Sequence, residues 1–73
     1  MPRERVEFPM PGKIVSVNVT VGSEIKEEET ICVLESMKME NPIVSPVSGK
    51  VVEINLTPGQ VVEGGDLVAV IEY

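Results

Sequence analysis

Lys38 is the side chain of this sequence with the clearest potential for chemistry. It lies between Met37 and Met39 in the segment Glu35-Ser36-Met37-Lys38-Met39-Glu40. An activated carboxyl group can acylate a lysine amine, and unbranched, polarizable methionines suit packing in the groove of a partner protein. The sequence contains no His, so its single cysteine, Cys32, has no histidine to activate it. We therefore expect no catalytic residue and no metal site in this chain.

The other three lysines provide a comparison for Lys38. Lys13 and Lys50 each follow a glycine that ends a predicted turn, and Lys26 lies in a charged turn. Simple exposure to solvent explains all three, and it is also the default explanation for an isolated Met-Lys-Met segment. The position of Lys38 within the whole sequence is what favours a functional role.

The composition predicts one small all-β domain that spans residues 1–73. The apolar residues are mostly β-branched, with 14 Val and 6 Ile against 3 Leu, and such side chains suit a pleated sheet. The net charge of −6, with no basic cluster beyond Arg3 and Arg5, argues against nucleic acid as a partner. The sequence has no apolar run of the roughly 20 residues needed to cross a membrane, and no signal peptide is expected. A lone cysteine makes the cytoplasm the expected location.

An internal repeat fills most of the chain. Residues 6–36 align with residues 43–73 without a gap, at an offset of 37 residues, and nine of the 31 pairs are identical. Each copy predicts a Pro-x-x-Gly turn, a strand of alternating apolar and polar residues, a glycine turn, a short apolar pair and a final apolar strand. In the first copy the alternating strand places Val15, Val17 and Val19 on its buried face. The sequence thus encodes one half-domain twice.

Neither half could bury its apolar face alone, so we expect two four-stranded halves that pack about a pseudo-two-fold axis. The product would be a flattened β-barrel or sandwich with one shared core. Lys38 lies in the short segment that joins the halves, and the two-fold relates this segment to the paired chain ends. We therefore expect Lys38 to protrude from the end of the domain opposite the termini.

The position of the bend between the halves is open at this level. A two-residue turn at Met37-Lys38 requires positive φ, but the segment lacks the Gly, Asn or Asp that such turns prefer. A bend at Asn41-Pro42, or one continuous strand from Thr30 to Val44, would fit the sequence as well. A bend at Met37-Lys38 would violate local preference, and such violations tend to occur at functional sites.

These features together resemble one known family, the biotinyl domains of biotin-dependent carboxylases and decarboxylases. The resemblance covers about residues 6–73. It rests on four glycine segments and the Met-Lys-Met segment, which are Gly12-Lys13-Ile14, Val21-Gly22, Glu35 to Asn41, Ser48-Gly49-Lys50-Val51 and Pro58-Gly59. Ser36 is a departure, since alanine is more usual there. The ungapped repeat leaves no room for the protruding thumb of some acetyl-CoA carboxylase carriers.

The resemblance implies a barrel-sandwich hybrid (hammerhead) fold and a biotin carboxyl carrier function. It implies that biotin protein ligase attaches biotin covalently to Lys38 through an acyl-adenylate, and that Met37, Met39 and Glu35 contribute to recognition by the ligase. It implies further partners, namely a biotin carboxylase component and a carboxyltransferase or decarboxylase component. The chain would be a non-catalytic carrier that moves an activated carboxyl group between their active sites.

Two other functions fit the same fold. A lipoyl carrier domain of a 2-oxo acid dehydrogenase type complex would be similar in composition, but its lysine usually follows an acidic residue and precedes alanine. An unmodified hammerhead module could serve as a structural adaptor, although an exposed Met-Lys-Met segment would then have no role. The methionines on both sides of Lys38 favour biotin.

Overall fold

The fold consists of strands and turns. The computed structural model describes residues 2–73, and within this range it contains eight strands. Their bounds are β1 Arg3–Glu7, β2 Gly12–Val17, β3 Glu24–Ile25, β4 Thr30–Ser36, β5 Met39–Val44, β6 Gly49–Glu53, β7 Val61–Val62 and β8 Leu67–Glu72.

The strands form two antiparallel four-stranded sheets. One sheet has the order β1-β8-β6-β3 and contains both chain ends, and we call it the terminal sheet. The other has the order β5-β4-β2-β7 and contains the β4–β5 hairpin, and we call it the hairpin sheet. Each sheet takes two strands from each half of the sequence, so the halves exchange strands. The predicted all-β fold of two four-stranded halves is confirmed.

Backbone hydrogen bonds between the halves follow the 37-residue offset. The Ile14 amide donates to the Gln60 carbonyl (2.8 Å), and the equivalent Val51 amide donates to the Ser23 carbonyl (2.9 Å). A second pair joins the amide of Gly22 to the carbonyl of Val51 and the amide of Gly59 to that of Ile14. The glycine turn of each half is therefore hydrogen-bonded to a strand of the other half.

The core lies between the two sheets and is almost entirely aliphatic. Its largest fully buried side chains include Ile14, Ile31, Leu34 and Ile71. Phe8 is also buried, but its repeat equivalent is Ser45, which is fully buried and whose hydroxyl donates to the Val47 carbonyl. One aromatic ring therefore occupies the core where exact symmetry would demand two, and the small serine satisfies its polar group locally.

The predicted alternation of inward residues after the Pro-x-x-Gly turn is wrong at Val15 only, since Val19 is buried and Val17 packs against the core. Ile14 is buried, whereas Val15 is 41% exposed and the strand ends at Val17. The cause is a β-bulge, because Ile14 pairs with Leu34 but the next paired residue is Ser16. The extra residue shifts the inward-facing positions by one. The second half has the same irregularity between Val51 and Glu53, so the bulge belongs to the repeat.

Glycine is required at two kinds of position. Gly22 and Gly59 have φ of 95° and 92°, a left-handed conformation that β-branched residues strongly disfavour. A side chain would have open space at both sites, so only the backbone conformation selects glycine there. At Gly12 the reason is steric, since a Cβ atom would approach the Glu35 carbonyl oxygen to 2.5 Å. The predicted equivalence of the Gly22 and Gly59 turns is confirmed.

We expect Gly22→Val and Gly59→Val to destabilise the domain by similar amounts, about 1–3 kcal/mol each. Both substitutions force a β-branched residue to the same positive φ without any steric clash. Urea denaturation of the two variants beside the wild type measures the losses. A large loss for one variant and none for the other would contradict the equivalence.

Candidate functional site

The β4–β5 hairpin has Met37 and Lys38 as its two turn residues. Ser36 at the end of β4 pairs with Met39 at the start of β5, which leaves two residues between the strands. Both have positive φ, 54° for Met37 and 66° for Lys38, as a type I′ turn requires. Neither is a residue that adopts this conformation without cost. The turn therefore does contain residues that disfavour its backbone conformation, as the sequence allowed for a bend at Met37-Lys38.

The alternative bends are wrong. Asn41 and Pro42 both lie inside β5, and the strand that starts at Thr30 ends at Ser36. Proline is tolerated in β5 because this strand is at the edge of the hairpin sheet, where a missing amide donor can face away from the neighbouring strand.

The side chains of the turn point into solvent. Met37 is 92% exposed and Met39 is 67% exposed, and Lys38 is exposed as well. A methionine that covered the end of the core would be buried, so the exposure of Met39 excludes a structural role of that kind. Large apolar side chains exposed at a loop tip are available for contact with another protein.

Asn41 stabilises the turn through a side-chain hydrogen bond, a role that the sequence did not indicate. Its side-chain amide donates to the Met39 carbonyl oxygen at 3.2 Å. Asn41 is half-buried and pairs with Leu34, a fully buried core residue. Asn41 thereby links the backbone of Met39, the residue after Lys38, to a strand position that lies opposite the core residue Leu34.

Lys38 and the chain ends lie at opposite ends of the molecule. The domain is elongated, with extents of 36 × 19 × 19 Å. At one end the Tyr73 amide donates to the Pro2 carbonyl, which is the repeat equivalent of the Ser36–Met39 pair. Strand β1 runs away from this end, and β2 then begins at the level of Glu35, next to the turn.

Charges near the two ends differ although the backbone is equivalent. At the terminal end Arg3 lies opposite Glu72, and the arginine Nε atom is 3.3 Å from the glutamate Oε2 atom. At the turn the equivalent positions are Glu40 and Glu35, which lie directly opposite each other. Like charges in this arrangement are unfavourable. Within residues 2–73 neither carboxylate has an ion-pair partner.

The same contrast extends over the two sheets. The strands of the terminal sheet contain eight charged residues, which are Arg3, Glu4, Arg5, Glu7, Glu24, Lys50, Glu53 and Glu72. The strands of the hairpin sheet contain three, which are Lys13, Glu35 and Glu40. The sheet that presents Lys38 is therefore the less charged one.

Cys32 is fully buried in the core. Burial raises the pKa of the Cys32 thiol from its ordinary value of 9.0 to about 11. A thiol of this kind is unreactive, because the thiolate is the nucleophilic form.

Neither a metal cluster nor a membrane-spanning helix is found in the part of the chain that the structure describes. No group of three or more His, Cys, Asp or Glu residues comes together there as a metal site. No helix in that part is long and apolar enough to cross a membrane.

Comparison with known proteins identifies similar sequences over much of the chain. A family model described as "Biotin-requiring enzyme" matches residues 4–71. The gamma subunit of methylmalonyl-CoA decarboxylase from Veillonella parvula is 52% identical over 42 residues, which are 58% of this chain and 33% of that protein. The biotin carboxyl carrier protein of Streptococcus mutans is 51% identical over 37 residues, 51% of this chain and 28% of that protein.

Solved structures show the same likeness at the level of the fold. Urea carboxylase from Kluyveromyces lactis aligns with a TM-score of 0.89 and 32% identity, over 99% of this chain and 6% of that one. The matched regions amount to about a third or less of each of these relatives.

We expect Met37→Asn to stabilise the domain by about 1 kcal/mol, because asparagine adopts positive φ more readily than methionine. Denaturant titration at constant m-value measures the change. Lys38→Ala is the control, and it should alter stability by no more than about 0.5 kcal/mol, as for other surface substitutions. A clear loss of stability in Met37→Asn would show that the methionine side chain is structural.

The raised pKa of Cys32 predicts a loss of stability at high pH. The folded state keeps the thiol protonated, so this contribution is complete below about pH 9 and is lost as the pH rises towards 11. The difference in unfolding free energy between wild type and Cys32→Ala should therefore shrink over this range. A difference that is constant from pH 8 to about 11 would contradict the assignment.

Proposed function

The chain belongs to the biotin/lipoyl attachment family, and on that premise we propose that it is a biotin carboxyl carrier with biotin attached to the Nζ atom of Lys38. The relatives reported above are named for biotin or for carboxylation and decarboxylation, which favours biotin over a lipoyl group. The activity of the parent enzyme, its substrates and its partners are part of this proposal.

The geometry of Lys38 is the observation that carries the proposal. Its side chain leaves the tip of a two-residue turn at one end of an elongated domain, with an exposed methionine on each side. This arrangement lets the amine enter the active site of another protein while the sheets stay outside. A group attached through a long side chain at this point would meet no wall of the domain, so the residues present fit covalently bound biotin.

The residues around Lys38 have separate roles in this proposal. Met37 and Met39 offer adaptable apolar contacts to biotin protein ligase, and Glu35 contributes a negative charge to the same recognition. Asn41 holds the turn in place through the Met39 carbonyl. The ligase must assist removal of a proton from the amine, because the amine of a lysine in water is protonated near neutral pH.

Bound biotin supplies a ring nitrogen that can carry a carboxyl group between active sites. The domain itself catalyses no step in this proposal. It raises the effective concentration of the attached group at a biotin carboxylase component and at a carboxyltransferase or decarboxylase component. The approach of Lys38 to each is unhindered by the chain ends, which lie at the opposite end.

We expect Lys38→Arg to abolish biotinylation when the chain is expressed with a biotin protein ligase and biotin. Arginine keeps the charge and the length of the side chain but has no amine that can be acylated under these conditions. Intact mass and an avidin blot measure the modification.

Lys13→Arg, Lys26→Arg and Lys50→Arg are the matched controls, and each should be biotinylated like the wild type. A wild-type avidin signal in Lys38→Arg would exclude Lys38 as the attachment site. A mass shift corresponding to a lipoyl group in cells that have both ligases would instead identify a lipoyl carrier.

A further inference from the structure

The outer surface of the hairpin sheet is apolar where the equivalent surface of the terminal sheet is charged. We define the hairpin face as the outward side chains of Val33, Pro42, Val44 and Val61. Val61 is 74% exposed and Val44 is 40% exposed. The register places Val33 opposite Pro42, and Val61 in the same row as Lys13 and Glu35, so these residues share one side of the sheet.

The repeat provides a charged equivalent for three of these four positions, and the fourth, Val33, corresponds to an identical valine, Val70. At an offset of 37 residues, Val44 corresponds to Glu7, Val61 to Glu24 and Pro42 to Arg5. The equivalent backbone of the terminal sheet therefore accommodates charged side chains without difficulty. Folding does not require apolar residues at these three outward positions, so we attribute them to binding.

A partner that acts on Lys38 needs more contact than the turn can offer. A standard interface buries roughly 800 Å² on each partner, and three side chains at a tip cannot supply it. The contact must therefore extend from the turn onto a neighbouring surface. The hairpin face is continuous with β4 and β5, and covering it removes few charges from water, whereas the terminal sheet would lose the hydration of many.

The charges beside the turn indicate the chemistry of that partner. Glu35 and Glu40 lie opposite each other, and among the described residues neither forms an ion pair, although Lys13 faces Glu35 from β2. At the equivalent place of the terminal sheet Arg3 forms an ion pair with Glu72. A cationic side chain from the partner would relieve this repulsion. A ligase that holds an acyl-adenylate has to stabilise a phosphate anion next to the acylated amine, so positive charge at the rim of its active site is expected on chemical grounds.

From these observations we propose that the hairpin face is the docking surface for the biotin protein ligase, with cationic groups of the ligase next to Glu35 and Glu40. This proposal rests on the proposed function. The ligase covers the hairpin face while Lys38 is in its active site, and the terminal sheet stays in water.

Exchange of residues between equivalent positions of the two sheets tests this docking surface. The variant Val44→Glu/Val61→Glu gives the hairpin face the residues of the terminal sheet, and Glu7→Val/Glu24→Val makes the reverse change as the matched control. Biotinylation by a purified bacterial biotin protein ligase is followed by intact mass at several carrier concentrations. We expect the first variant to lose about tenfold in kcat/KM, mainly through KM, and the control to stay within about twofold of wild type.

The two variants also separate docking from general electrostatic attraction. The first variant is more negative than wild type, so attraction to a basic ligase alone would speed its reaction and slow that of the control. Equal kcat/KM for both variants, or that reversed order, would overturn the proposal. Circular dichroism and urea denaturation establish that the variants are folded, and Val61→Glu alone replaces the double variant if it is not. Absence of biotin on Lys38 in the wild type would refute the proposed function instead.

Discussion

The exchange of strands between the two halves is the constraint on which the rest of the structure depends. Each sheet contains β-strands from both copies of the repeat, and the glycine turn of each half is bonded to a strand of the other. Neither half has a complete sheet or a closed core by itself. A chain of 73 residues buries only about 60% of the surface that it exposes when unfolded, so it can ill tolerate the loss of either set of contacts. Folding and the placement of Lys38 are therefore one cooperative event.

The turn at Lys38 is a consequence of this arrangement. The two halves have to be joined where β4 meets β5, and the register leaves only Met37 and Lys38 between the strands. Positive φ at both residues is thus imposed by the pairing of the strands on either side, and the residues themselves do not favour it. The stability of the sheets compensates for the strained turn, and Asn41 adds a local hydrogen bond.

The sequence predicted what depends on the repeat and missed what depends on pairing in three dimensions. The β-branched composition was sufficient for the all-β fold. The offset of 37 residues was sufficient for the matched turns at Gly22 and Gly59 and for the place of Lys38 opposite the termini. The bulge at Val15 could not be inferred, because an alternating pattern looks the same whether or not one residue is left unpaired. The sequence also did not show whether the bend lies at Met37-Lys38 or at Asn41-Pro42, because turn preferences did not clearly favour either position. The contrast between Val61 and Glu24 was visible in the aligned repeat, but its meaning required knowing that both face outward.

The short connection between Lys38 and the core has a consequence for motion. The turn follows β4 and precedes β5 directly, so the Cα atom of Lys38 moves with the domain as a whole. The side chain and the group attached to it rotate about the bonds that begin at this Cα atom. The length of the side chain beyond Cα determines how far from this atom the attached group can reach. The domain itself blocks one side, so its orientation determines which directions the group can sample. A partner that binds the domain in one orientation therefore also orients the Lys38 side chain and the group attached to it. Less orientational entropy is then lost when this group enters the partner's active site.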